Sequence, residues 1–110
     1  MNCYIVDCQG FTTSLHSFVF KEVVILPVKI GTDPTVFHFK SPHAWNDLSN
    51  NFQVSNHWIA RNFHGISWES GKIPYELLRE KMEEALRDAD KIYVKGLEKK
   101  RWIEKLLPSH

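Results

Sequence analysis

The residues with the clearest chemical potential open the chain. Asp7 and Gln9 stand two apart in a stretch, YIVDCQ, rich in strand-forming residues. Alternate residues of a strand point to one face, so a carboxylate and an amide oxygen are aimed together there. Such a pair meets a hard cation only when further acids join it. A plainer role for Asp7 is a strand-end side chain bonding turn amides. His57 and His64 lie seven apart, on similar faces of one helix but two turns from each other, too far to share a metal. His64 also fits the plainer role of a helix-end side chain bonding a carbonyl. His16, His38, His43 and His110 sit apart, in loops or on an exposed strand face. There is no Ser-His-Asp order, nucleophile elbow or glycine-rich phosphate loop. Lys95, Lys99, Lys100, Arg101 and Lys105 form a basic run around Trp102. It suits either phosphate contacts with a base stacked on the indole, or a solvated helix face whose Trp belongs to the core. Trp45, Trp58 and Trp68 read as core or loop anchors.

The elements that must position these residues follow from hydrophobic period and punctuation. Residues 4–8 read as a short strand, with Gly10 as punctuation and a hairpin connection after it. Residues 18–28 form a longer strand whose VVIL centre is apolar on both faces, as an interior strand requires. Gly31, Asp33 and Pro34 mark a turn. Residues 35–40 alternate, with Phe37 and Phe39 on one face, which predicts a half-buried strand near an edge. Residues 47–51 could start a helix. Val54, Trp58, Ile59, Phe63 and Ile66 recur at helical spacing, and Gly65 is placed to stop it. After a loop over 67–72, Pro74 opens a second helix. Its apolar stripe is Tyr75, Leu78, Met82, Ala85, Leu86 and Ala89, opposite Arg79, Glu80, Glu83, Glu84 and Arg87. Residues 92–94 predict a short strand and 98–107 a last helix carrying Trp102, Ile103 and Leu106. Three closely linked strands favour an antiparallel meander. The long helical stretch before the fourth strand allows a crossover to a parallel partner.

That order, and the local phrases within it, resemble a ribonuclease-H-like 3′–5′ exonuclease domain of the DEDDh type. The family opens with Asp-x-Glu on its first strand, where this chain has Asp7-Cys8-Gln9. The family's His-Gly-Ile-Thr-like phrase is matched by His64-Gly65-Ile66-Ser67, followed by a loop and a helix near Pro74. Its Gly-His-Asn turn and the helix bearing its third acid correspond to IYVKGLEKKRWIEKLL. The resemblance implies an α/β domain with a mixed sheet, three antiparallel strands and then a parallel fourth, and two or three helices. It also implies that residues 1–110 hold a single partial domain, without the family's last strand, helix, His and Asp.

The departures carry equal weight. Gln9 replaces a Glu, Leu97 and Glu98 replace the His-Asn of the turn, and Trp102 falls at the third acid. Two-metal hydrolysis needs several converging carboxylates, and a neutral amide repays little of the cost of dehydrating Mg²⁺. The expectation is a catalytically degenerate module, with Asp7 and Gln9 as vestigial catalytic positions and Asp7 as a weak metal ligand at most. Mg²⁺ enters only with residual nuclease activity, and no other cofactor is implied. Lys95, Lys99, Lys100, Arg101 and Trp102 are then candidate contacts to single-stranded RNA or DNA. The alternative is a protein-interaction domain whose open sheet edge takes a partner. A remaining reading is an active exonuclease with unusual ligands such as Asp47, Glu69 or Glu98.

Bulk properties bound these readings. The chain has 110 residues, 43% of them hydrophobic, with four Trp and seven Phe, enough for one small cored domain. A formal net charge of +1 lacks the strongly basic balance of a dedicated nucleic-acid binder. Cys3 and Cys8 show no metal or redox spacing, and idle thiols in a reducing compartment are expected. The MNCYIVDCQG start is no signal peptide, and no run is long enough to span a membrane. Cytoplasm or nucleus follows by elimination.

Overall fold

The computed structural model describes residues 1–14 and 17–108. His16, His110 and the tip of the first hairpin lie outside the described residues. Strands β1 (Cys3–Ser14), β2 (Ser17–Pro27) and β3 (Thr35–His38) come first. Helix α1 (Asn50–Ile59), helix α2 (Leu78–Ala85), strand β4 (Lys91–Val94) and helix α3 (Leu97–Leu106) follow. The sheet order is β3-β2-β1-β4, antiparallel except for the parallel β1–β4 pair. The meander, the parallel fourth strand and the edge position of β3 agree with the sequence reading.

β1 is longer than its apolar run predicted, because Gly10 does not end it. Gln9 pairs with Glu22 and Gly10 with Phe20, so Lys21 is an extra residue on β2, a β-bulge. A Cβ on Gly10 would lie 1.8 Å from the Val19 carbonyl oxygen, so only glycine lets the strands close there. The bulge shifts the facing of β2, which is why Phe20 joins Val23 and Ile25 in one core. It also takes the Phe20 amide out of the ladder, and that N–H donates to the Tyr75 hydroxyl at 3.0 Å.

The sheet has two unequal faces. Val6 and Cys8 of β1, with Phe20, Val23 and Ile25 of β2, are covered by Leu78, Met82 and Leu86 of the α2 region and by Ile103 and Leu107. The stripe predicted from Tyr75 to Ala89 packs against this core throughout. The opposite face is covered at one end by a second cluster of Phe11, Val19, Leu48 and Trp68, flanked by Trp45, Phe52 and Ala60. Its other end is open, where Ile5, Leu26, Val36 and Tyr93 are exposed. Register places Leu26 and Tyr93 on either side of Ile5, an apolar row across three strands.

The stripe expected on α1 is corrected. Val54 and Trp58 are exposed, and Asn56 is the buried residue of the helix. A 3₁₀ turn (Trp45–Asp47) precedes α1, and Ser49 caps it by accepting from the Phe52 amide. The helix widens into a π turn (Ala60–His64) that Gly65 closes at φ 66°, its N–H bonding the Ala60 carbonyl at 2.8 Å. The widening comes after Trp58; within α1 itself Phe52 and Asn56, four residues apart, face inward, so Val54 and Trp58 point outward.

Candidate functional site

Asp7 lies just past the last paired residue of β4, because β4 pairs with β1 only as far as Val6. Asp7 and Gln9 share the open face of β1 by their spacing. At the end of β4 the chain turns through Gly96, whose φ of 96° favours glycine, and enters α3. One turn in, Lys99 returns toward the sheet, and its Nζ donates to Asp7 Oδ1 at 2.8 Å. The pair is partly exposed, 29% at Lys99 and 55% at Asp7. An ammonium therefore supplies the positive charge that the Asp7 carboxylate attracts. Beside it on the same face, Glu22 meets His38 at 3.6 Å, in the row that also holds Gln9.

The donor set does not fit a magnesium centre. Among the described residues, no three His, Cys, Asp or Glu side chains come together as a metal-binding group. Glu69 instead accepts from the Ser67 hydroxyl, and Asp47 lies 3.9 Å from His43. Cys8, behind Asp7 in the core, has its thiol pushed up to about 11 by burial, with Lys99 opposing the shift. It is a packing residue rather than a nucleophile.

The other candidates divide. Lys100 turns along its helix toward Glu104 at 4.0 Å, and Lys95 and Arg101 are exposed. Trp102 stacks on Phe18, with ring centroids 3.9 Å apart and planes 7° from parallel. It packs against the helix-covered core, so one indole face is occupied, and it lies on the far side of the sheet from Asp7. His64 has both ring nitrogens engaged. Nδ1 accepts from the Ile66 amide at 2.9 Å, which leaves Nε2 to donate to the Gly10 carbonyl at 3.0 Å. Its ring meets Phe11 edge-on. The histidine thus ties the end of the π turn to β1, in keeping with its plainer sequence reading.

A second feature had no sequence signal. A cavity of about 480 Å³ opens between α1, the 65–69 segment and Phe11. Asn56, fully buried, lines it. Its Nδ2 donates to the Thr12 carbonyl at 2.7 Å, while its Oδ1 has no partner. A buried acceptor left unmatched costs about 1–3 kcal/mol. The cavity's Trp68 wall is fixed by two polar anchors. Its Nε1 donates to the His43 carbonyl at 3.0 Å. Its own carbonyl accepts from the ammonium of buried Lys21 at 2.9 Å. Asn56 sits among polar neighbours in QVSNHW, so nothing in the residue pattern marks it as interior.

Together these features define an α/β protein with a four-stranded mixed sheet, a lysine-paired aspartate on an interior strand and, apart from it, an aromatic-walled cavity. Comparison with protein-family models, with curated proteins and with solved structures finds no match. Among the described residues, no helix is long and apolar enough to cross a membrane.

Proposed function

We propose that this chain is a catalytically degenerate, ribonuclease-H-like module that works by binding rather than by hydrolysis. The observation that carries the reading is the Lys99–Asp7 contact at 2.8 Å. In a metal-dependent nuclease the first-strand aspartate shares its charge with divalent cations. Here a side chain of the same protein already holds that charge, and Gln9 beside it brings none. The strand order supports the kinship, because β1 lies inside the sheet with a parallel β4 next to it.

The ligand class this reading favours is single-stranded RNA or DNA, held weakly through phosphate contacts. Lys95, Lys100 and Arg101 lie around the start of α3, close in sequence to Lys99, whose ammonium reaches Asp7 on the open face of β1. Trp102 contributes through its stack on Phe18 and holds α3 in place. Two assays test the reading. Short single strands incubated with Mg²⁺ or Mn²⁺ remain intact, whereas exonuclease activity abolished by Asp7→Ala would overturn it. Titration of a labelled oligonucleotide at two salt concentrations gives affinity that falls with salt. No affinity, or affinity indifferent to salt, counts against the nucleic-acid part.

A protein partner is a second reading, favoured by the open half of the sheet. Leu26, Ile5 and Tyr93 form an exposed row, and β4 has no strand on its outer side among the described residues. Such an edge accepts an added strand. Strictly monomeric sedimentation, with no protein recovered on the immobilised chain, argues against this reading.

A further inference from the structure

Strand β4 leaves a groove of about 250 Å³ on its outer side, between the strand and α3. Ile103 and Leu107 close its floor. Ile92 and Val94, half-buried, form one wall, and the exposed Lys100 and Glu104 stand on the rim. The backbone of the same two strand residues faces outward. Lys91, partnered with Cys3, donates its N–H to the Asn2 carbonyl at 3.2 Å, so Lys91 and Tyr93 bond toward β1. Ile92 and Val94 alternate with them and turn their N–H and C=O away from β1, where no strand lies among the described residues. Such a row of backbone donors and acceptors is matched by another extended chain. Charge narrows the choice of chain. Lys91 begins β4 and Lys95 directly follows its end. Both are exposed, and neither has an ion-pair partner among the described residues. Of the nearby acids, Asp90 accepts from the Asn2 amide at 2.6 Å, and Glu104 lies 4.0 Å from Lys100. A second copy of β4 is a poor occupant. The antiparallel register that uses both Ile92 and Val94 is centred on Tyr93 and sets Lys91 opposite Lys95, and opposed like charges destabilise a strand pair.

We propose that β4 and its groove take an extended segment of another protein, added as a strand, in which small apolar residues alternate with residues that include acids. The inference rests on the protein-partner reading and names that partner's chemistry. Directly opposed residues of paired strands share one face. Apolar residues opposite Ile92 and Val94 therefore enter the groove, and they meet the accessible sides of those two residues and the aliphatic stem of Lys100. Acids opposite Lys91 and Lys95 meet the two unpaired ammonium groups. The residue between them lies over Tyr93, which is exposed on the open face of the sheet. Backbone bonds at Ile92 and Val94 hold the segment, and the flanking charges select it.

The test uses the whole chain, ¹⁵N-labelled, with two end-capped peptides, Ser-Glu-Val-Thr-Val-Glu-Ser and Ser-Lys-Val-Thr-Val-Lys-Ser. Each reads the same from either end, so its side chains meet β4 alike in a parallel or an antiparallel pairing. The expected result is saturable movement of the β4 signals with the acidic peptide and slowed hydrogen exchange at the Ile92 and Val94 amides. The lysine peptide binds more weakly, on the order of tenfold, because two attractive pairs become repulsive. In the double variant Lys91→Glu with Lys95→Glu, both exposed positions, the preference reverses. The proposal is overturned if the acidic peptide moves no β4 signal, or moves them without protecting Ile92 and Val94. It is also overturned if the double variant keeps the original preference. Self-association in sedimentation that protects those two amides without any peptide assigns the edge to a second copy and overturns it as well. Equal binding of the two peptides, with both amides protected, overturns the acidic partner but leaves the open edge as a strand-accepting site, which tells the two failures apart.

Discussion

Lys21→Met is the substitution whose consequence the structure fixes most closely. Lys21 is the bulge residue of β2, with 1% of its surface exposed. Its ammonium donates to the Trp68 carbonyl at 2.9 Å, to the Ser41 hydroxyl at 3.2 Å and to the Ser70 carbonyl. Met has a similar unbranched length, so the stem's packing is largely kept and the polar contacts alone are lost. The Trp68 carbonyl retains a donor, because Ser41 Oγ also bonds it at 2.6 Å. Ser70 loses its side-chain donor, and an unmatched carbonyl costs about 1–3 kcal/mol. The three charge-assisted bonds are worth about 1.5–3 kcal/mol each, and removal of the buried cation returns roughly 3 kcal/mol of that. A net loss of about 2 kcal/mol follows, a sizeable part of the roughly 5–15 kcal/mol typical of a folded domain.

Urea unfolding followed by tryptophan fluorescence reads this loss. With a slope of about 1–3 kcal/mol per molar, the midpoint falls by about 1 M. The Trp68 indole signal shifts as its loop loosens. A midpoint change below about 0.3 M at unchanged slope refutes the clamp. The comparison also has a pH signature. Burial pushes Lys21 down to about 8 from 10.5, with the Glu69 carboxylate opposing. Between these values the unfolded chain holds more protons than the folded one, so stability rises with pH there. The advantage of the unsubstituted protein over Lys21→Met therefore grows from about pH 8 to 10.5 and is flat below. An advantage constant across that window refutes the assignment.

Gly10→Ala sets a methyl against the Val19 carbonyl and parts the hairpin at its bulge; it costs about 3 kcal/mol or more by thermal or urea unfolding, and a loss under about 1 kcal/mol contradicts the close approach. Tyr75→Phe leaves the Phe20 amide without its acceptor and lowers stability by about 1–2 kcal/mol, measured as a urea midpoint; a neutral result means water replaces the hydroxyl. In thiol labelling at neutral pH, half-buried Cys3 reacts readily, whereas Cys8, buried and held up to about 11, reacts only as the protein unfolds. Equal rates at the two cysteines contradict the placement of Cys8 in the core.

Much of the architecture was legible because the apolar periods of β2, β3 and α2 are strong and cleanly punctuated. Tyr75, Leu78, Met82 and Leu86 fall where their spacing puts them. Gly10 misled because a glycine inside a strand is local punctuation in sequence but a close backbone approach in space. Its meaning depended on Lys21 across the hairpin. The α1 stripe failed because the inward face of the helix is set by Phe52 and Asn56, a polar residue, rather than by Val54 and Trp58. Of the candidate site, Asp7 and Lys99 were both named from the sequence, on separate grounds. Their contact was not foreseeable, since it joins residues 92 apart through the β1–β4 pairing and the turn at Gly96. The cavity was invisible for a similar reason: its wall comes from Phe11, Trp45, Trp68 and α1, which no local motif connects.

The charge beside Asp7 separates a closed ion pair from a metal site. Mn²⁺ titrated into ¹⁵N-labelled protein tests it directly, because a bound paramagnetic ion broadens nearby amide signals. The Asp7, Cys8 and Gln9 amides are expected to stay sharp through the low millimolar range in the unsubstituted protein, with Lys99 keeping its hold on the carboxylate. Selective, saturable broadening of those three signals at micromolar Mn²⁺ would contradict it.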